Sequence, residues 1–155
     1  EPIRNRTFRS HAWNCLTKRV QLAEDSSAPV VEYTNQFTLP ADCLRVLKVH
    51  NGTTDSIASS LDYAVEGRKI KTDEGTVFLV YIALITDPNE YDSYLQEALA
   101  ALLAADLAYA ITNNATLAKN YATTADERLR EARFIDATEN SLGTVESNEF
   151  TDARL

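Results

Sequence analysis

The chain is poor in the residues that usually carry chemistry. Its 155 residues include two cysteines, two histidines, one tryptophan, four glycines and four prolines. Cys15 and Cys43 are too few for a disulfide scaffold of this length and read as reduced packing residues. His11 and His50 are the only imidazoles, and no serine sits in a G-x-S-x-G element, so a nucleophile triad has little to build on. A zinc site needs three or four ligands at defined spacing. His11, Cys15, Cys43 and His50 are scattered, with no short C-x-x-C or H-x-x-x-H unit. No Walker A or G-x-G-x-x-G motif occurs. No metal and no cofactor is therefore expected.

Positive charge is also scarce. There are 15 basic against 23 acidic residues, a net charge of −8. That disfavours a general nucleic-acid binder, which needs cations to neutralise phosphates. The longest uninterrupted apolar run, from Val77 to Ile85, has nine residues, short of the about 20 that span a bilayer as a helix. No membrane partner is expected from it. No secretory-signal pattern is visible, so the sequons at Asn5, Asn51 and Asn114 read as chance matches. The opening stretch from Pro2 to Ser10 has no turn chemistry and reads as the late part of a helix, which suggests a fragment or a processed chain.

Helix breakers are unevenly placed. Between Asn89 and Leu142 lie 54 residues with neither Gly nor Pro, and their richness in Ala and Leu predicts helix. Asp87 is a candidate N-cap with Pro88 at the first helical position. Leu95, Leu99, Leu102, Leu103, Leu107, Ala110 and Ile111 form one apolar stripe. Ala98, Ala101, Ala105 and Ala108 would let a neighbouring helix approach closely. This helix ends near Thr112-Asn113-Asn114. A second runs from about Ala115 to Glu139, with Leu117, Tyr121, Ala125, Leu129, Ala132 and Ile135 as its stripe and mixed charges elsewhere.

Upstream, the grammar is that of strands. Strands are predicted at Arg19–Ala23 and Cys43–His50. Val30–Tyr33 and Gln36–Leu39 read as short strands or extended loop. A hairpin covers Tyr63–Thr72 and turns at Glu66-Gly67-Arg68. A strand buried on both faces covers Val77–Leu84. In Cys43–His50, Leu44, Val46 and His50 fall on one side and Arg45, Leu47 and Val49 on the other. The expected fold is α+β, a helical bundle (1–15 and 89–139) with a β-rich insertion (about 19–85) in one domain, 1–142. An extended acidic tail follows at 143–155.

Two charge features remain. Asp73-Glu74 and Asp87 near Glu90 could serve as paired carboxylates in a glycan hydrolase, but such pairs more often close turns and cap helices. Arg4, Arg6, Arg9, Lys18 and Arg19 make the N-terminal region basic, while Glu146, Glu149 and Asp152 make the tail acidic. That polarity suits head-to-tail contacts or a contact with the chain's own tail.

A more specific pattern is spread along the chain. It begins with His11-Ala12-Trp13-Asn14-Cys15-Leu16-Thr17-Lys18-Arg19. Phe37-Thr38-Leu39-Pro40-Ala41-Asp42-Cys43-Leu44-Arg45-Val46-Leu47 follows, then Tyr63-Ala64-Val65-Glu66-Gly67-Arg68-Lys69-Ile70-Lys71-Thr72-Asp73. Last come Val80-Tyr81-Ile82, Ile85-Thr86-Asp87-Pro88, Tyr91-Asp92 and Glu97-Ala98-Leu99-Ala100. In this order and spacing the chain resembles the head-to-tail adaptor (connector) family of tailed bacteriophages, the tail tubular protein A-like group. The resemblance runs from about residue 3 to residue 139. It departs from the family in lacking the helix and loop that usually precede this start, and its tail matches nothing specific in the family.

The resemblance implies a non-enzymatic virion protein with no catalytic residues. It would form a ring, typically of twelve copies, in the neck between capsid and tail after assembly in the host cytoplasm. Its partners would be the portal protein, a tail nozzle or tail tube protein, and double-stranded DNA passing without specific contacts. The helices would pack side by side around the ring, the β-rich part would face the tail, and the acidic tail would reach toward the portal. Twelve copies would carry a net charge of about −96, which would repel phosphates and let a genome slide. Residue type picks out candidate contacts in Trp13, Tyr91, Tyr94, Tyr109, Tyr121 and Arg133, with Glu146, Glu149 and Phe150 in the tail. A tail terminator or stopper ring of a long-tailed phage is the alternative, followed by a carboxylate-dependent hydrolase.

Overall fold

A computed structural model describes residues 1–52 and 61–139 of the chain. The tail from Gly143, with Glu146, Glu149 and Phe150, lies outside them. The fold mixes helix and strand: three α-helices, the last two forming a pair, and two small antiparallel sheets. The helices are α1 (Pro2–Ser10), α2 (Ser93–Thr112) and α3 (Ala115–Thr138). The strands are β1 (Thr17–Leu22), β2 (Asn35–Thr38), β3 (Cys43–His50), β4 (Tyr63–Glu66), β5 (Lys69–Thr72) and β6 (Val77–Ala83). Single-turn 3₁₀ segments cover Asn14–Leu16 and Pro88–Glu90.

The first sheet has the order β1-β6-β3 and the second β2-β5-β4, all antiparallel. β6 is central in its sheet, but the burial on both faces expected from its unbroken apolar run is incomplete: Phe78 and Val80, on the face shared with Arg19 and Lys48, are only half-buried. Its Val77, Leu79, Tyr81, Ile82 and Ala83 are buried. The β4–β5 hairpin turns at Gly67 and Arg68, which both have positive φ (53° and 64°), the requirement of a tight primed turn. Gly52 also needs its freedom. It sits at φ 88°, and an added Cβ would come within 2.6 Å of the Phe78 ring.

Several sequence expectations shift. Of the short strand or extended loop expected at 30–33, the loop is what forms. β3 does not alternate strictly, because the register slips between Cys43 and Arg45 and again between Val46 and Lys48. These bulges put Val46 opposite Tyr81 and Val49 opposite Leu79, on one face. Arg45, Lys48 and His50 lie opposite Ile82, Val80 and Phe78, on the other. Pro88 opens only a 3₁₀ turn under an Asp87 cap, and α2 starts five residues later. Asp92 caps it by accepting from the Tyr94 and Leu95 amides (2.8 and 3.4 Å). Asn113 ends α2 in the left-handed conformation, and Asn114 caps α3 by accepting from the Leu117 amide at 3.1 Å. The third sequon thus falls on a helix cap.

One core joins the three helices to five of the six strands, β4 lying outside it. Phe8, Trp13, Leu16, Phe37, Ile70, Leu79, Ile82 and Leu95 are buried in a single cluster. The two ends of the described chain meet through Asp136, which is 5% exposed. Its carboxylate accepts from His11 Nε2 and from the Asn14 amide, both at 2.8 Å, and its carbonyl accepts from Asn14 Nδ2 at 2.7 Å. Asp136→Ala removes the acceptor shared by two half-buried donors and should lower stability by about 2 kcal/mol. Urea unfolding of the variant checks this. A midpoint unchanged from the parent chain would show that the clasp is energetically silent.

Candidate functional site

The clearest unsatisfied feature is α2. A helix that is apolar all round must be covered all round, and Glu97 and Asp106 are its only charges. By length and composition it could cross a membrane, yet its most apolar window is only 17% buried. Counting uninterrupted runs missed this, because Glu97 and Asp106 break the helix into shorter ones. The face turned inward is the alanine face. Ala98 and Ala108 on α2 and Ala125 and Ala132 on α3 are buried, while Ala101, Leu102 and Ala105 are half-buried. The small residues thus do permit a close neighbour, and that neighbour is α3.

The leucine stripe divides instead of packing as a unit. Leu95 is buried and Leu99 half-buried. Leu103, Leu107 and Ile111, four residues apart, are 51%, 42% and 76% exposed. Ala100, Ala104 and Ala110 are exposed beside them. Near the α1 end of this stripe, Pro2, Ile3, Leu99 and Leu103 line an open groove of about 590 Å³. Tyr109 and Tyr121 are exposed near the tip of the helical pair, and Phe134 is exposed on α3.

A second apolar feature lies in the β-rich part. Val30 and Val31 are exposed at the tip of the loop before β2. Glu32 holds φ 74°, and the Tyr33 amide donates to the Val31 carbonyl at 3.0 Å. That bond pattern is a γ-turn, rare and strained for a non-glycine residue. Two adjacent valines after Pro29 in a polar stretch are the sequence signal for it, and fit a short strand or an extended loop equally well.

The residues expected at contacts fall into three groups. Trp13 and Tyr91 belong to the core. The Trp13 indole N–H donates to the Thr7 carbonyl at 3.1 Å, and its ring packs edge-on against His11. Tyr91 donates to the Ile85 carbonyl at 2.7 Å and packs edge-on against Phe8. As contact residues these two are corrected: neither reaches a surface a partner could touch. Arg133 is half-buried and donates to Ser10 Oγ at 2.8 Å, joining α3 to α1. Tyr94, Tyr109 and Tyr121 do lie at the surface.

The residues considered for chemistry have local roles. Asp73 accepts from the Thr34 amide and hydroxyl (2.9 and 3.1 Å), and Asp87 accepts from the Asn89 amide (2.9 Å). His50 stacks on Phe78 with ring centres 5.5 Å apart. Both cysteines are free, and burial pushes both thiols up from their ordinary value. Among the described residues no three His, Cys, Asp or Glu side chains converge as a metal site would require. No protein-family model matches the chain, and no curated protein matches it.

The β-rich part contains one strongly displaced titration. Tyr81 donates to Asp42 Oδ1 at 3.1 Å. Burial, then the adjacent Asp42 charge, pushes its phenol up to about 12. The phenolate is disfavoured in the fold, so this contribution to stability is complete below the ordinary value of about 10 and is lost as pH rises toward 12. Ultraviolet titration should show a tyrosine ionising last, near the upper end of that range. Tyr81→Phe should remove that last step, and its survival in the variant would assign it elsewhere.

Proposed function

We propose that this chain is a structural subunit that assembles side by side through the outer face of α2, as the head-to-tail adaptor of a tailed bacteriophage. The carrying observation is the stripe Leu103–Leu107–Ile111, apolar and exposed on a helix whose other face is filled by α3. Exposed apolar patches of this kind mark contact surfaces. A bilayer would cover the stripe equally well. The partner helix α3, however, carries four basic and four acidic residues, counted from its own sequence, and so favours a protein neighbour.

In this reading the helical bundle expected from the sequence is completed between copies. Each subunit supplies the α2–α3 pair, and α1 with the groove beside Leu99 and Leu103 receives the next. Tyr109 and Tyr121 extend the contact. The Val30–Val31 tip gives the β-rich end an apolar contact of its own, suited to a tail nozzle or tail tube protein. The ring would sit in the virion neck against the portal protein, around passing DNA. A terminator or stopper ring would use the same surfaces. The local roles of Asp73 and Asp87 support binding over hydrolysis.

Native mass of the chain, alone and mixed with portal protein, tests the reading. A portal complex carrying about twelve added chains is expected, with subunit contacts of at least roughly 2,000 Å². Leu103→Asp with Leu107→Asp should leave the fold intact, since both side chains are exposed, and should abolish that assembly. A monomer that ignores the portal would overturn the proposal and turn attention to hydrolysis at Asp73, Glu74 and Asp87.

A further inference from the structure

The charge of this acidic chain is divided unevenly. Helix α1 and the three strands of the first sheet contain Arg4, Arg6, Arg9, Lys18, Arg19, Arg45 and Lys48 and no Asp or Glu. At one edge of that sheet, Arg9, Arg45 and Arg68 converge on a groove of about 350 Å³. They come from α1, β3 and the β4–β5 turn.

Each guanidinium is held in place by backbone oxygens. Arg9 donates to the Leu44 carbonyl at 2.6 Å and Arg45 to the Arg9 carbonyl at 3.0 Å. Arg68 donates to the carbonyls of Pro40, Ala41 and Cys43 at 2.6, 3.3 and 3.3 Å. Carbonyls orient a guanidinium without neutralising it. Among the described residues no carboxylate forms an ion pair with any of the three, whereas Lys18, Lys69 and Lys71 each have one. A guanidinium has five donors, so each arginine keeps at least two for an outside acceptor. Leu44, Val46 and Val65 give the groove an apolar floor.

We infer that this groove is the docking site of the chain's own C-terminal segment, residues 144–152, whose carboxylates would pair with Arg9, Arg45 and Arg68. Three observations carry it. First, α3 ends against the C-terminal end of α1, which contributes Arg9 to the groove: Arg133 bonds Ser10, and Asp136 bonds His11 and Asn14. Arg9 is the residue before Ser10. The seven steps from Glu139 to Glu146 reach about 23 Å when extended. Second, Glu146, Glu149 and Asp152 recur every third residue. In an extended chain that spaces them by about 9 Å, matching a row of separate cations better than one. Third, Phe150 lies within this acidic run and supplies the apolar group that the groove floor calls for. Docking would keep Glu146, Glu149 and Phe150 on their own subunit until a partner competes for them. The inference does not depend on which partner that is.

Hydrogen exchange on the full chain tests it. At low ionic strength, amides 144–152 should exchange about tenfold more slowly than free peptide. That protection should vanish in about 0.5 M salt, which screens exposed pairs. It should also vanish in the triple variant Glu146→Gln, Glu149→Gln, Asp152→Asn, whose positions lie outside every contact described here. Arg45→Gln should give the same loss. A tail that exchanges freely in the parent chain overturns the proposal. Protection that survives the triple substitution does so as well. Protection that grows with protein concentration would put the tail on a second copy, against docking in the same chain. A free tail, with a DNA duplex slowing exchange at residues 39–48, would make the groove a phosphate site instead.

Discussion

The architecture depends on one buried carboxylate. Asp136, in the last turn of α3, ties together residues more than 120 positions apart by accepting from His11 and from the Asn14 amide. Without it, α3 would be held to the rest of the chain by its partner α2, the Arg133–Ser10 bond and the burial of Ala132. The segment between α1 and β1 would also lose its anchor, and that segment carries Trp13 and Leu16 into the core. A buried charge is costly to desolvate, so such a group is better understood as fixing a register than as a large source of stability. Here the register is that of the helical pair on the sheets. Arg133 to Ser10 repeats the same join one turn earlier. The clasp therefore determines where the apolar stripe of α2 points and where the chain continues beyond Glu139.

A second constraint follows from α2. Its alanines allow α3 to lie close, but that choice spends the small residues on the inner face and leaves the large ones outside. A subunit meant to remain alone would be expected to reverse the arrangement, burying Leu103, Leu107 and Ile111 and showing alanine to water. The charges of the pair lie mostly on α3, with Arg128 lying 3.2 Å from Glu131 and 3.9 Å from Glu97 of α2. The hairpin is thus asymmetric, one helix apolar and one charged, as a surface built for a defined neighbour would be.

The parts legible in the sequence were those set by local chemistry. Asn113-Asn114 separates the helices because one residue adopts the left-handed conformation and the next caps. The β4–β5 hairpin turns at its only glycine, and the unbroken apolar run of β6 takes the central place in its sheet. What was misread was set by tertiary context. Period-two alternation fails in β3 because two bulges each insert a residue. The aromatics that anchor interfaces are also those that fill cores, so residue type could not separate Trp13 and Tyr91 from Tyr109 and Tyr121. Helical spacing grouped the leucines of α2 but could not say that α3 would choose the alanines. Arg9, Arg45 and Arg68 have no relation in sequence, and only the placement of β3 beside α1 and the β4–β5 turn makes them neighbours.

This last point bears on what a net charge can mean. The value of −8 is a sum over two unlike regions, a first sheet and α1 with seven cations and no carboxylate, and a remainder that is strongly acidic. A duplex passing a ring of such subunits would respond to the face it meets and not to the sum. Against the helical pair it would meet mixed charge with an acidic excess and slide. Against the first sheet it would meet cations in every copy, and each phosphate contact would add a site to leave. Unhindered passage therefore requires the sheet and its arginine groove to face away from the channel, or to have their cations already occupied. An acidic segment held by Arg9, Arg45 and Arg68 would meet the second condition within a single chain.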